Sequence, residues 1–133
     1  MELKDKKLLV VEDEQPLIDI ICKKLALLGF KTLCVGSVKD AIKFLKENPT
    51  IDGIWLDHCL LGKENGLEFV HAVKNHEVWK KIPIFVVSNT ASPDKVKTYL
   101  ELGVEKYYTK ADYRLDDILK DIKIVLGKGE LNE

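Results

Sequence analysis

The chain has only three cysteines and no Cys-x-x-Cys pair, which argues against zinc and against a disulfide framework. Cys22 and Cys34 lie within apolar patterns, and a reducing cytoplasm is the simplest expected compartment. An excess of either charge is also missing. Lys plus Arg number 21 against 22 Asp plus Glu, so no net field draws the chain to DNA, RNA or an anionic membrane. Residues Met1 to Lys7 are highly charged and lead into only four consecutive apolar residues. That run is too short for a signal-peptide core and far too short to span a bilayer. No internal repeat, low-complexity tract or linker divides the chain. The 133 residues, 46% hydrophobic and 32% charged, suit one domain with one core, since single domains most often run to about 100–150 residues.

Against this plain background, short β-like runs alternate with helix-length amphipathic stretches. The runs are Leu8–Val11, Lys31–Val35, Gly53–Asp57, Ile84–Ser88 and Glu105–Thr109. Leu17, Ile18, Ile21, Cys22, Leu25 and Leu28 form one helical stripe ending at Gly29, a residue suited to a left-handed cap. Ser37, with Asp40 three residues on, opens a second helix. Asn65 followed by Glu68 resembles a capping box for the third. Ser92-Pro93 starts the fourth and Gly103 closes it. Leu115, Ile118, Leu119, Ile122, Val125 and Leu126 mark the fifth, and residues 127–133 are expected to form a polar, frayed tail after a domain spanning 5–126.

Alternating βα units argue for a parallel sheet with helices on both faces. Leu8–Val11 and Ile82–Val87 are almost uniformly apolar, as strands buried on both faces should be. Such sheets bind ligands at the carboxyl ends of their strands, where the winding reverses. Asp13, Asp57, Ser88 and Lys110 each stand at or just after the end of a run. If the first and third strands are neighbours, Glu12, Asp13 and Asp57 converge. Like charges at a shared site disfavour full ionisation, so such a cluster needs protons or a cation. Oxygen-only ligands suit a hard divalent ion, Mg²⁺ first. A carboxylate beside Mg²⁺ is also a nucleophile towards phosphorus, which makes phosphoryl chemistry on Asp57 the leading reading.

These residues resemble the receiver domain of response regulators over nearly the whole chain, residues 5 to about 126. Val10-Val11-Glu12-Asp13-Glu14 resembles the acidic metal-binding turn, and Trp55-Leu56-Asp57 the phospho-acceptor turn. Val86-Val87-Ser88-Asn89 resembles the strand-four Ser/Thr turn, and Tyr107-Tyr108-Thr109-Lys110 the aromatic and lysine of strand five. The resemblance implies a flavodoxin-like doubly wound (βα)5 fold of the α/β class, with a five-stranded parallel sheet in the order 2-1-3-4-5. It implies that Asp57 takes a phosphoryl group from the histidine of a sensor kinase or phosphotransfer protein. Mg²⁺ would be held by Asp13, Asp57 and the backbone carbonyl of Cys59, with Glu12 reaching it through water. Lys110 would pair with a phosphoryl oxygen and Asp57, and the Ser88 hydroxyl would donate to the phosphoryl group. Tyr107 would then turn inward and alter the face of helix four and strand five for a downstream protein partner. The implied protein is a cytoplasmic signalling switch that catalyses only its own phosphorylation and dephosphorylation.

The chain departs from the family pattern at several points. Ala111 follows Lys110 where proline is usual. A cis bond before a non-proline residue costs about 2.5–4 kcal/mol, so a trans Lys110–Ala111 bond is expected. Leu61 replaces a usual proline, the Gly62–Gly66 loop is one residue longer than common, and Glu12 replaces the more frequent Asp. Cys59 and Thr90 stand at positions that tune acyl-phosphate lifetime in relatives.

Plainer readings compete at each position. Glu12 and Asp13 taken alone are helix-entry acids, Asp57 a strand-end cap, Ser88 a turn former, Lys110 a solvated lysine and Tyr107 a half-buried structural tyrosine. His71 and His76 are poorly spaced for shared ligation and are expected at the surface, whereas His58 flanks the acceptor. An aspartyl-phosphate phosphohydrolase of haloacid-dehalogenase type would show DxDx[TV], but Asp57-His58-Cys59-Leu60 lacks the second acid. A flavodoxin-like electron carrier would need a Ser/Thr/Gly-rich loop where Glu12-Asp13-Glu14 stands. A receiver excised from a longer hybrid kinase is a third rival, disfavoured by the Met1 start and short tail.

Overall fold

A computed structural model describes residues 6–48, 50–57, 66–89 and 92–131, with side chains to 127. Five strands alternate with five helices. In chain order they are β1 Lys7–Val11, α1 Gln15–Leu27, β2 Lys31–Val35, α2 Val38–Glu47, β3 Gly53–Asp57, α3 Gly66–Lys74, β4 Ile84–Ser88, α4 Pro93–Leu102, β5 Lys106–Thr109 and α5 Leu115–Leu131. A short 3₁₀ turn, Trp79–Lys81, precedes β4. The sheet order is β2-β1-β3-β4-β5, and every neighbouring pair is parallel. This is the expected doubly wound fold.

Strand side chains alternate between two buried layers. Leu9, Val11, Ile54, Leu56, Ile84 and Val86 meet α2, α3 and α4 on one face through Leu45, Phe69, Val73 and Tyr99. Leu8, Val10, Trp55, Phe85, Val87 and Tyr108 meet α1 and α5 on the other through Ile21, Leu25, Ile118 and Ile122. Because β1, β3 and β4 face helices on both sides, nearly all their residues are buried. That explains their uninterrupted apolar sequence. β2 lies at the sheet edge and is only partly covered.

Several helix boundaries follow their local chemistry. The Ser37 side chain accepts the Asp40 amide at 3.0 Å. Gly29 and Gly103 adopt φ of 98° and 97°, the left-handed geometry that lets α1 and α4 stop. Ser92 occupies the N-cap of α4 but its side chain makes no capping hydrogen bond. Its carbonyl instead accepts the Val96 amide at 3.0 Å. The proposed Asn65 cap lies outside the described residues. Three bounds differ from expectation: β1 begins at Lys7, β5 begins at Lys106, and α5 continues through Gly127 to Leu131. Neither Gly127 nor Gly129 ends the helix, since a glycine within a helix costs only about 1 kcal/mol. Among the described residues no helix is long and apolar enough to cross a membrane.

Candidate functional site

The site is assembled from the carboxyl ends of four strands. Beyond β1, the Glu12 amide donates to the Val35 carbonyl at 3.0 Å, which carries the ladder with β2 one residue further. The Glu12 side chain is thereby turned into the protein and is fully buried. Its Oε2 accepts the amides of Asp13 and Glu14 at 3.1 and 3.2 Å, while its Oε1 is buried with no hydrogen-bond partner among the described residues. Asp57 ends β3, which lies beside β1, and is 1% exposed. One carboxylate oxygen from each of Glu12, Asp13 and Asp57 lies within 4.8 Å of the others.

Lys110 follows β5. Its Nζ stands 3.7 Å from Asp57 Oδ2 and 4.0 Å from Glu12 Oε1. Those separations are charge contacts rather than short hydrogen bonds. Its amide donates to the Ser88 carbonyl at 2.7 Å. Ser88 ends β4, is fully buried and pairs with Thr109. No cis peptide bond occurs among the described residues, so Lys110–Ala111 is trans as expected and the lysine still faces the acids.

The electrostatics follow from this geometry. Burial first, then the hydrogen bond and charge of Asp57, push the Glu12 carboxyl up to about 7, against the pull of the Glu14 amide and Lys110. Two carboxylates cannot donate to one another, so Glu12 and Asp57 share the site comfortably only with a proton or a cation between them. The orphaned Oε1 and the all-oxygen donor set fit a hard divalent cation.

Tyr107, in β5, is half-buried against the α2–α4 layer, its ring 5.6 Å from that of Tyr99 and tilted by 44°. Tyr99 is fully buried in α4, with its hydroxyl against Gly66, the first residue of α3. The sequence marks Tyr99 only as part of a helical stripe. Its contact with Tyr107 could have been sought from the short α4–β5 connection. His58, Cys59, Thr90 and 62–65 lie outside the described residues. His76 is half-buried rather than simply superficial: its ring stacks on Trp79 at 3.7 Å and its Nδ1 accepts the amides of Val78 and Trp79 at 3.1 and 3.2 Å. His71 is exposed. Cys22 and Cys34, distant in sequence, bring their sulfurs to 2.8 Å.

Comparison with known proteins gives a consistent result. The family described as response regulator receiver domain matches residues 8–123. The phosphate regulon transcriptional regulatory protein PhoB of Klebsiella pneumoniae is 30% identical over 92% of this chain and 52% of its own length. The Escherichia coli K12 protein of the same name is 29% identical over the same shares. The chain thus spans about half the length of these curated relatives. Among solved structures, the phosphorylated cyanobacterial phytochrome response regulator RcpA has a TM-score of 0.77 at 27% identity, with 92% of each chain covered. The Mn²⁺-bound response regulator Rcp1 has a TM-score of 0.76 at 25% identity, again over 92% of each chain. The chemotaxis response regulator CheY4 of Vibrio cholerae matches in fold with a TM-score of 0.80 at 22% identity, over 92% of this chain and 99% of its own.

Proposed function

Since the chain belongs to the response regulator receiver domain family, we propose that Asp57 is its phospho-acceptor and that Glu12, Asp13 and Asp57 hold Mg²⁺, together with the backbone carbonyl of Cys59. The observation that carries this reading is the carboxylate cluster, gathered within 4.8 Å with Lys110 Nζ 3.7 Å from Asp57. Relatives solved phosphorylated and with Mn²⁺ support it.

A carboxylate oxygen of Asp57 attacks the phosphorus of a phosphohistidine on a sensor kinase or phosphotransfer protein. The N–P bond breaks, the histidine nitrogen leaves with its electron pair, and an acyl phosphate forms on Asp57. Mg²⁺ held by these residues would supply positive charge for the phosphoryl oxygens. Lys110 adds charge that is already in place, neutralising what grows on those oxygens during transfer. Asp13 and Glu12 hold the negative partners of that charge beside the acceptor. The Ser88 hydroxyl donates to a phosphoryl oxygen of the product, and Tyr107 moves inward beside it. The surface of α4 and β5 is thereby altered for a downstream protein. Signalling from a cytoplasmic location belongs to this reading, and the receiver takes in residues 5–126.

The test is the intact mass after incubation with Mg²⁺ and acetyl phosphate, beside Asp57→Asn. Addition of one phosphoryl group to the parent alone is expected. Equal labelling of the variant would overturn the assignment of Asp57.

A further inference from the structure

Cys22 and Cys34 are 12 positions apart in sequence, yet their sulfurs lie 2.8 Å from each other. Cys22 sits within α1, next to the buried Ile21. Cys34 is in the edge strand β2, paired with Val10, whose side chain belongs to the α1–α5 layer. Strand alternation turns Leu33 and Val35 to the opposite layer, so Cys34 faces α1. Both thiols are free, Cys22 half-buried and Cys34 exposed. A disulfide needs the sulfurs at roughly 2.05 Å, so only a short approach separates the thiol pair from the crosslink.

We propose that Cys22 and Cys34 form a reversible intramolecular disulfide, made by exchange with a low-molecular-weight disulfide of the glutathione class. The exchange can open at either thiol; from Cys22 it begins with loss of that thiol's proton. The Cys22 thiolate attacks one sulfur of the small disulfide, whose S–S bond breaks and releases one glutathione, protonated by the proton Cys22 gave up. The Cys34 sulfur then attacks the Cys22 sulfur of the mixed disulfide. A second glutathione leaves and takes the Cys34 proton. Two electrons pass from the protein thiols to the small disulfide, and no other reactant is needed.

The crosslink ties α1 to the edge strand beside the acidic turn. α1 starts at Gln15, and the Val35 carbonyl, next in chain to Cys34, holds the Glu12 amide at 3.0 Å. The inference rests on the thiol geometry alone and stands apart from the assignment of Asp57.

The full chain is incubated with oxidised glutathione, alkylated and analysed by intact mass and peptide mapping. The protein is expected to lose about 2 Da, the two thiol hydrogens, and to regain them with dithiothreitol. The linked peptides should join Cys22 to Cys34. Native geometry should make closure faster than in urea by on the order of tenfold or more, since the folded chain holds the second thiol at high effective concentration. Three results would each overturn the proposal: persistent thiols or a stable glutathione adduct, linkage through Cys59, or closure no faster in the folded protein than in urea. Cys22→Ser should stop at a glutathione adduct or remain unmodified, and a 2-Da loss in that variant would also sink the idea.

Discussion

The amide of Lys110 donates to the carbonyl of Ser88 at 2.7 Å, so the lysine leaves β5 along a path set by the end of β4. This anchor explains how Lys110 faces Asp57 although alanine, not proline, follows it. The backbone bond fixes the start of the side chain, and the buried acids supply the charge that draws its end.

Lys110→Ala should slow phosphoryl transfer from acetyl phosphate on the order of 100-fold, as loss of one charge-stabilising group commonly does. The same change removes a cation that competes with Mg²⁺, so Mg²⁺ should bind at least as tightly. Stopped-flow labelling and a calorimetric Mg²⁺ titration check the two halves separately. Weakened Mg²⁺ binding would mean that the lysine organises the acids rather than serving the transfer.

The raised Glu12 carboxyl sets a pH dependence. Its folded value of about 7 lies above the ordinary 4.5, so the folded state binds more protons between those limits. Stability of the cation-free protein from this group is full below about pH 4.5 and is lost as pH rises through about 7. Mg²⁺ binds the deprotonated acids, so its stabilising effect should be larger at pH 8 than at pH 5. Thermal unfolding with Mg²⁺ or with EDTA at both pH values reads this directly. Glu12→Gln should flatten the cation-free pH dependence.

A methyl group at Gly66 would run into the Tyr99 hydroxyl. Gly66→Ala should therefore destabilise the fold by about 1–3 kcal/mol, the usual range for overpacking. Adding Tyr99→Phe removes the colliding oxygen and leaves the ring carbon at 3.6 Å, ordinary contact distance. The double variant should recover part of the loss in urea unfolding. Strict additivity would show that the two positions do not meet.

Ser88→Ala should still accept phosphate but fail to pass the change to Tyr107. NMR shifts of the Tyr107 ring on phosphorylation should shrink relative to the parent. A response of full size would remove Ser88 from the switch.

How far the sequence reveals this molecule depends on how many neighbours each residue needs. β1, β3 and β4 are legible because burial on two faces demands apolar residues at every position. Asp57, closing β3, and Asp13, two residues past β1, are legible as candidates because acids from two strand ends converge on one edge of the sheet. Glu12 is only half legible: its place at the end of β1 is plain, but its burial depends on the β2 carbonyl that captures its amide. The run of α5 through 127–131 is not legible, because a polar stretch at the end of a chain reads equally well as a frayed tail. The Cys22–Cys34 contact was missed because helix and strand periodicities give a residue's face, not its depth along the neighbouring element. Strand parity for Cys34 and the α1 stripe for Cys22 were the signals that could have found it.

Gly53 opens β3 beside Leu8. A Cβ there would lie 2.8 Å from Leu8 Cδ1 and 3.2 Å from Leu126 Cδ1. One missing methyl thus makes a socket shared by the first strand and the last helix. Neither segment can loosen without uncovering apolar atoms of the other, so the two should open to solvent as a single cooperative unit. Hydrogen exchange in β1 should therefore track that in α5, joining the chain's most distant elements in one unfolding event.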